Sequence, residues 1–299
     1  MKTLREVLAD ADARHVAVGH FNISDLAALK AIFAAARELQ LPVLIGVSEG
    51  EREFIGVRAA ALLVKNLRDT YDYPIFLNAD HTHSLDKAKE AAEAGFDEII
   101  FDNSSLPMEE NIANTKEAVA AIRAINPNIV IEGEIGYIGS SSEVMDVAPT
   151  GIALSTPEEA VRFVQETGID VLAPAVGNMH GLLKSMTTGG ANAEHKHLDI
   201  PRIVAIKAAI DAIDPARAPK FMTLHGGSGT DDADFIAAAR AGMTIIHVSS
   251  ELRLAWRRGV EEGLKDPNEI APYKLVAPSV AAIQEIVADR MKLFNGIVG

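Results

Sequence analysis

The chain has no cysteine, which excludes disulfide frameworks and thiolate metal ligation together. Any bound metal must rely on His, Asp and Glu. There is also no run of lysine and arginine. The 28 basic residues stand against 42 acidic ones, a net charge of −14. That field repels nucleic acid and anionic membrane surfaces, so neither is an expected partner. No apolar run approaches membrane-spanning length, and Met1-Lys2-Thr3-Leu4-Arg5-Glu6 lacks a signal-peptide core. The expectation is a soluble, cytoplasmic protein. A phosphorylated substrate is compatible with the acidic balance only if a few local cations and backbone amides hold it.

The 299 residues are 48% hydrophobic, enough for a large core. Eight short apolar runs alternate with helical patterns: Val16 to Phe21, Pro42 to Val47, Pro74 to Ala79, Glu98 to Asp102, Ile129 to Glu134, Asp170 to Val176, Lys220 to His225 and Thr244 to Ser249. They are continuously apolar rather than alternating, as expected of strands covered on both sides. Between them, Leu26, Leu29, Ile32, Phe33 and Ala36 share a helical face behind Ser24, the expected N-cap. Thr156-Pro157-Glu158-Glu159 spells a capping box, and Ile203, Ile206, Ile210 and Ile213 form another apolar stripe. Gly95, Gly168 and Gly242 stand where a helix must turn back into the sheet.

Eight strand–helix units predict an α/β fold, a single (β/α)8 TIM barrel over residues 1–299, with extra C-terminal helices from about residue 251. A doubly wound open sheet is the competing architecture. Against it, Gly19-His20-Phe21-Asn22 follows the first strand in place of a Gly-rich fingerprint. Gly136 to Ser155 and Met186 to His197, rich in Gly, Ser, Thr and Asn, are expected to be mobile loops over a site. Trp256 and Phe294 are expected to pack on the barrel or on a second subunit.

Active sites of such barrels form at the C-terminal ends of the strands. The polar residues there are Asn22, Ser48, Asp80 with His81, Asp102, Glu132 with Glu134, His180, His225, and His247 with Ser249 and Ser250. His81, His180 and His225 would meet on one rim, and three neutral imidazoles with a vacant fourth position make a catalytic zinc site. Asp80 is either a general acid/base or a carboxylate that orients a histidine. Glu132 and Glu134, at i and i+2, face the same way. They either bind the metal in a resting position, pair with Lys184, or are solvated at the rim. Gly226-Gly227-Ser228-Gly229 exposes backbone N–H groups before a helix, and Ser249-Ser250 repeats the arrangement, which suits a phosphate. Lys184 would supply the positive charge.

Asp80-His81, Glu132/Glu134, His180-Gly181 with Lys184, and Leu224-His225-Gly226-Gly227-Ser228-Gly229 together resemble the class II, metal-dependent ketose-bisphosphate aldolases, the fructose-bisphosphate and tagatose-bisphosphate aldolases. The resemblance runs from His20-Phe21-Asn22 to Glu251-Leu252. It implies zinc on His81, His180 and His225, with Glu134 near an alternative metal position and Asp102 associated with a second cation. It implies that Asp80 shuttles the proton of the C4 hydroxyl. Gly181, Lys184, Gly227, Ser228 and Ser250 would hold the phosphate of dihydroxyacetone phosphate, while Asn22 and Ser48 line the substrate channel. A sodium or potassium ion on backbone carbonyls near the glycines after the second and third histidines is implied, as is a homodimer or homotetramer. Two departures stand out. His247 replaces an asparagine that contacts the dihydroxyacetone portion, and it could alter which ketose is accepted or offer the metal a fourth imidazole. The loop's usual glycine pair is replaced within Gly139-Ser140-Ser141-Ser142-Glu143, where Glu143 falls near a glutamate that some members use as a base.

Three functions follow as expectations. The first is a zinc-dependent aldolase cleaving a phosphorylated ketose, fructose 1,6-bisphosphate or a relative, to dihydroxyacetone phosphate and an aldehyde. The second is a sugar-phosphate epimerase or isomerase on the same metal barrel, motivated by His247. The third is a non-catalytic subunit supporting a partner aldolase, against which the complete set of Asp80, His81, His180 and His225 argues.

Overall fold

The structure is a computed structural model and describes residues 2–139, 143–147, 153–187, 194–213 and 220–297. Eight parallel strands close into a barrel in chain order: β1 (Val18–Asn22), β2 (Val43–Val47), β3 (Ile75–Thr82), β4 (Glu98–Phe101), β5 (Val130–Ile135), β6 (Val171–Pro174), β7 (Phe221–Leu224) and β8 (Met243–Val248). These are the eight apolar runs of the sequence. The closure of β8 onto β1 rules out the open sheet. Among the described residues, no helix is long and apolar enough to cross a membrane.

Every strand is buried on both faces, but each face has different company. Outward residues such as Ile45, Leu77, Ile131, Leu172, Leu224 and Ile246 join the surrounding helices in the main core. Inward residues change character along the barrel axis. At the bottom, Val18, Leu44, Phe76, Val130, Val171, Phe221 and Ile245 form an apolar plug, closed by Leu4, Val7, Leu8 and Ala11 of the helix Leu4–Ala13. Two residues on, the same face presents His20, Gly46, Asn78, Glu132, Thr223 and His247. Two further on come Asn22, Ser48, Asp80, Glu134 and His225. The period of two is thus present, hidden because the outward positions are apolar at every step.

The buried polar layer is tightly fitted. His20 and His247 are register partners on β1 and β8, and their rings stack with centroids 3.5 Å apart at 9°. A Cβ at Gly46 would lie 2.1 Å from Cε1 of His20. We therefore expect Gly46→Ala to destabilise the protein by roughly 1–3 kcal/mol, the usual cost of overpacking, read as a lower melting temperature. An unchanged melting temperature would contradict this packing.

Helix termini follow the local sequence with one correction. The expected N-cap Ser24 is displaced by Asp25, whose Oδ1 accepts from the Ala28 amide at 2.8 Å, while Ser24 Oγ donates to Glu51. The capping box at Thr156 is present, and Gly95, Gly168 and Gly242 all have positive φ. Phe294 is buried edge-on against Phe235 on the helix Asp232–Arg240, and the Trp256 indole donates to Asp25.

Candidate active site

Asp80 and His81 are consecutive, so in a regular strand their side chains would diverge. The backbone resolves this: His81 has φ +39°, and the β3–β4 register shifts between Ala79 and Thr82. Left-handed backbone at a non-glycine residue is strained, a feature that clusters at functional sites. The twist lets both side chains line one cavity of about 560 Å³ at the C-terminal rim.

His180 and His225 converge on His81. The His81 ring lies 4.8 Å from His180 and 4.9 Å from His225, and the latter two are 6.1 Å apart, between centroids. With Glu134, these histidines offer donor atoms that all lie within 4.8 Å of one another. Three imidazoles and a carboxylate form a donor set that fits a divalent metal such as zinc. Asp102, which the resemblance associates with a second cation, lines the same cavity and lies against His81. Its Oδ2 lies 2.8 Å from His81 Nδ1 and its Oδ1 accepts from the Ser104 amide and hydroxyl. A carboxylate on Nδ1 is the kind of contact that orients a metal-binding histidine, and His81 Nε2 lies 3.7 Å from Asp80 Oδ1.

Glu132 and Glu134 are both buried against His225: Glu132 lies 2.5 Å from its Nε2 and Glu134 2.7 Å from its Nδ1. Burial would lower the His225 pKa, but these two carboxylates raise it well above the usual value. Burial likewise opposes the rise at His81, where Asp80 and Asp102 prevail and lift it to about 9. His180 is driven well below its usual value by burial and by the charges of His81 and His225. The surrounding carboxylates thus favour positive charge at the point where the imidazoles meet. Lys184 does not pair with them. Its side chain is 76% exposed, 3.9 Å from Asp146, and it does not line the cavity.

Asp80 is buried, and burial raises its pKa. His81, His20 and a hydrogen bond from Asn22 outweigh burial and hold the carboxyl ionised, well below the usual range. The Asn22 amide donates to Asp80 Oδ2 at 2.8 Å and to Glu51 Oε2 at 2.9 Å. Glu51 in turn accepts from Arg253 at 2.7 Å. Arg52 donates to the main-chain oxygens of Val47 and Asp80 and to the Thr82 hydroxyl, tying the ends of β2 and β3 together.

Of the residues expected to meet phosphate, Gly181, Ser228, Ser249 and Ser250 line the cavity, and so do Asn22 and Ser48. Gly227 does not; its amide donates to the His247 carbonyl, and a Cβ there would lie 2.6 Å from that oxygen. Arg253 lines the cavity beside Ser249 and Ser250, and Lys184 is not among its lining residues. The sequence reading missed Arg253, Glu51 and Arg52. The spacing Ser250-x-x-Arg253 at the start of a helix after the last strand is the signal that points to the first.

His247 lines the cavity with Nδ1 3.7 Å from Asp80 Oδ1. Burial and the neighbouring histidines push its pKa well below the usual value, and burial takes His20 down to about 4, so both rings are neutral near pH 7. His20, Asp80 and His247 also bring donor atoms within 4.8 Å. Stacked, near-parallel rings direct their lone pairs along separate planes, however, and so cannot share one metal. In the loops, Glu143 lines the cavity, and Val144–Met145 pairs in parallel with Leu182–Leu183. Residues 140–142, 148–152 and 188–193 of the expected loops lie outside the described residues.

Comparison with known proteins identifies the family. The sequence matches the profile of the family "Fructose-bisphosphate aldolase class-II" over residues 2–297. It is 33% identical over 297 residues to the fructose-bisphosphate aldolase of Geobacillus stearothermophilus, covering 98% of this chain and 96% of that protein. It is 32% identical to the Staphylococcus aureus enzyme with the same coverage. The crystal structure of the YdjI aldolase from Escherichia coli K12 superposes with a TM-score of 0.80 at 26% identity, over 97% of this chain and 96% of that one. On the profile, the relatives and the barrel alike, the chain belongs to the class-II fructose-bisphosphate aldolase family and is, with it, a metal-dependent carbon–carbon lyase.

Proposed function

We propose that the protein cleaves a phosphorylated ketose reversibly to dihydroxyacetone phosphate and an aldehyde, with zinc held by His81, His180 and His225 and Glu134 close by. The observation that carries this reading is the ionised, buried Asp80 placed beside the converging imidazoles of His81, His180 and His225 at the C-terminal rim. Zinc, when bound, draws electron density from the ketose C2 oxygen and so lowers the energy of the charge that cleavage creates. Asp80 accepts the C4 hydroxyl proton as the C3–C4 bond breaks. The aldehyde leaves, and the bond's electrons remain on the three-carbon fragment as an enediolate. Glu143 on the cavity wall, to which we assign the proton returned to C3, takes that proton up from water, and Asp80 releases its own to water, so that dihydroxyacetone phosphate is completed with no net change in protons. Arg253 and the N-terminus of the helix Ser250–Gly263 receive the phosphate, since exposed amides and a guanidinium both favour an anion.

The test is product analysis with fructose 1,6-bisphosphate and a panel of related ketose phosphates. Dihydroxyacetone phosphate should appear, vanish with a chelator and return with zinc. An epimer formed without any triose, seen by NMR, would overturn the cleavage reading. In the same panel, His247→Asn should shift the ratio of kcat/KM values toward fructose 1,6-bisphosphate by about tenfold, an energy of ~1.4 kcal/mol. An unchanged ratio would show that His247 does not set specificity.

A further inference from the structure

Behind the two histidine-bearing segments after β6 and β7 lies a buried cation that the reaction does not use. Lys196 is 5% exposed, and its Nζ donates to the carbonyls of Met179 at 2.7 Å, Gly181 at 2.7 Å and Gly226 at 3.0 Å. The first two flank His180 and the third follows His225. An ammonium has three donors and no acceptor, so these three oxygens satisfy it completely. Among the described residues, no carboxylate is within ion-pair distance of it. Its charge is met by carbonyl dipoles, the way a desolvated alkali cation is held. Burial lowers its pKa to about 7 against the opposing attraction of Glu251, while three carbonyl acceptors favour the charged form.

The position of the side chain is built in. The Lys196 amide donates to the Gly229 carbonyl at 2.8 Å, and the Asp231 amide donates to the Lys196 carbonyl at 3.1 Å. Gly226 has φ +60°, and a Cβ there would lie 2.3 Å from the Met179 oxygen. The two segments therefore approach closely enough for one point charge to span both.

We propose that Lys196 is a tethered cation that clamps the His180 and His225 segments and takes the place of a free monovalent ion. The sodium or potassium implied by the sequence resemblance has no room at these carbonyls, because the chain supplies the charge itself. An ion that is part of the polypeptide is not lost by dissociation, so the spacing of the two histidines becomes independent of salt composition. Lys196 is a positioning residue: it neither lines the cavity nor joins the imidazole cluster, and it acts through the main chain beside His180 and His225.

The proposal predicts different salt responses in three proteins, compared at constant ionic strength with choline, sodium, potassium or ammonium chloride. Wild type should change less than twofold in activity and keep one melting temperature in all four. Lys196→Ala, which opens a cavity lined by the same carbonyls, should lose at least tenfold in choline, with a lower melting temperature. Potassium or ammonium should restore both. Lys196→Met fills the space without charge and should stay impaired in every salt. Several-fold activation of wild type by sodium or potassium would overturn the proposal. So would full activity of Lys196→Ala in choline, or the absence of any cation-dependent rise in its melting temperature. If the alanine variant does not fold, the wild-type salt series still decides. The melting series needs no substrate, so failure of the clamp and failure of the aldolase reading are separable.

Discussion

A His225→Ala variant is expected to lose stoichiometric zinc and to fall in activity by more than the roughly 100-fold typical of losing an outer partner of a metal ligand. His225 sits between Glu132 and Glu134, each within hydrogen-bonding distance of one ring nitrogen. Removing the ring deletes one donor and leaves two buried carboxylates facing each other, a costly arrangement unless one takes up a proton. The comparison that gives the result meaning is Asp102→Asn. It keeps the shape behind His81 but weakens the contact to Nδ1. That variant should lose about 10–100-fold in zinc affinity and regain activity in excess zinc. His225→Ala should not be rescued that way. Zinc content by elemental analysis, alongside cleavage rate, separates the two. Full zinc occupancy in His225→Ala would remove His225 from the ligand set.

The second large effect is expected at Asp80. Asp80→Asn preserves size but cannot accept the C4 hydroxyl proton, and general base catalysis contributes about 10²–10⁴-fold. We expect kcat to fall within that range while KM and zinc content remain near wild type. Asn22 should report the positioning of the same group. Its amide bridges Asp80 and Glu51, so Asn22→Ala frees one carboxylate oxygen and loosens the path to Arg253. If Asp80→Asn instead loses zinc while any retained metal supports normal turnover, Asp80 is a structural support and the proton acceptor lies elsewhere.

The sequence showed more of the rim than of the barrel interior. His81, His180 and His225 could be placed because parallel strands in chain order bring all their C-terminal ends to one side. Glu132 and Glu134 could be placed on one face because strand periodicity is local. The same periodicity, run backward from Asn22, Asp80 and His225, leads to His20, Asn78 and Thr223. It went unread because apolar outward residues fill the intervening positions. The orientation of Asp80 and His81 could not be read at all, since it depends on a positive φ and a register shift set by the neighbouring strand.

Long side chains were the least legible. Lys184 and Lys196 are close in sequence and carry the same charge, yet one is exposed beside Asp146 and the other is buried among three carbonyls. Arg253, on an otherwise ordinary helix, turns into the cavity because Glu51 holds it there. By itself the amino-acid order determined the alternation of strands and helices, the barrel they close into, and the family of the catalytic rim, because each depends on short-range pattern and chain direction. Tertiary structure alone decided which cation lines the cavity, which carboxylates lie against His81 and His225, and that two imidazoles stack beneath them. Those outcomes depend on partners dozens to hundreds of residues away, whose distances no local pattern records.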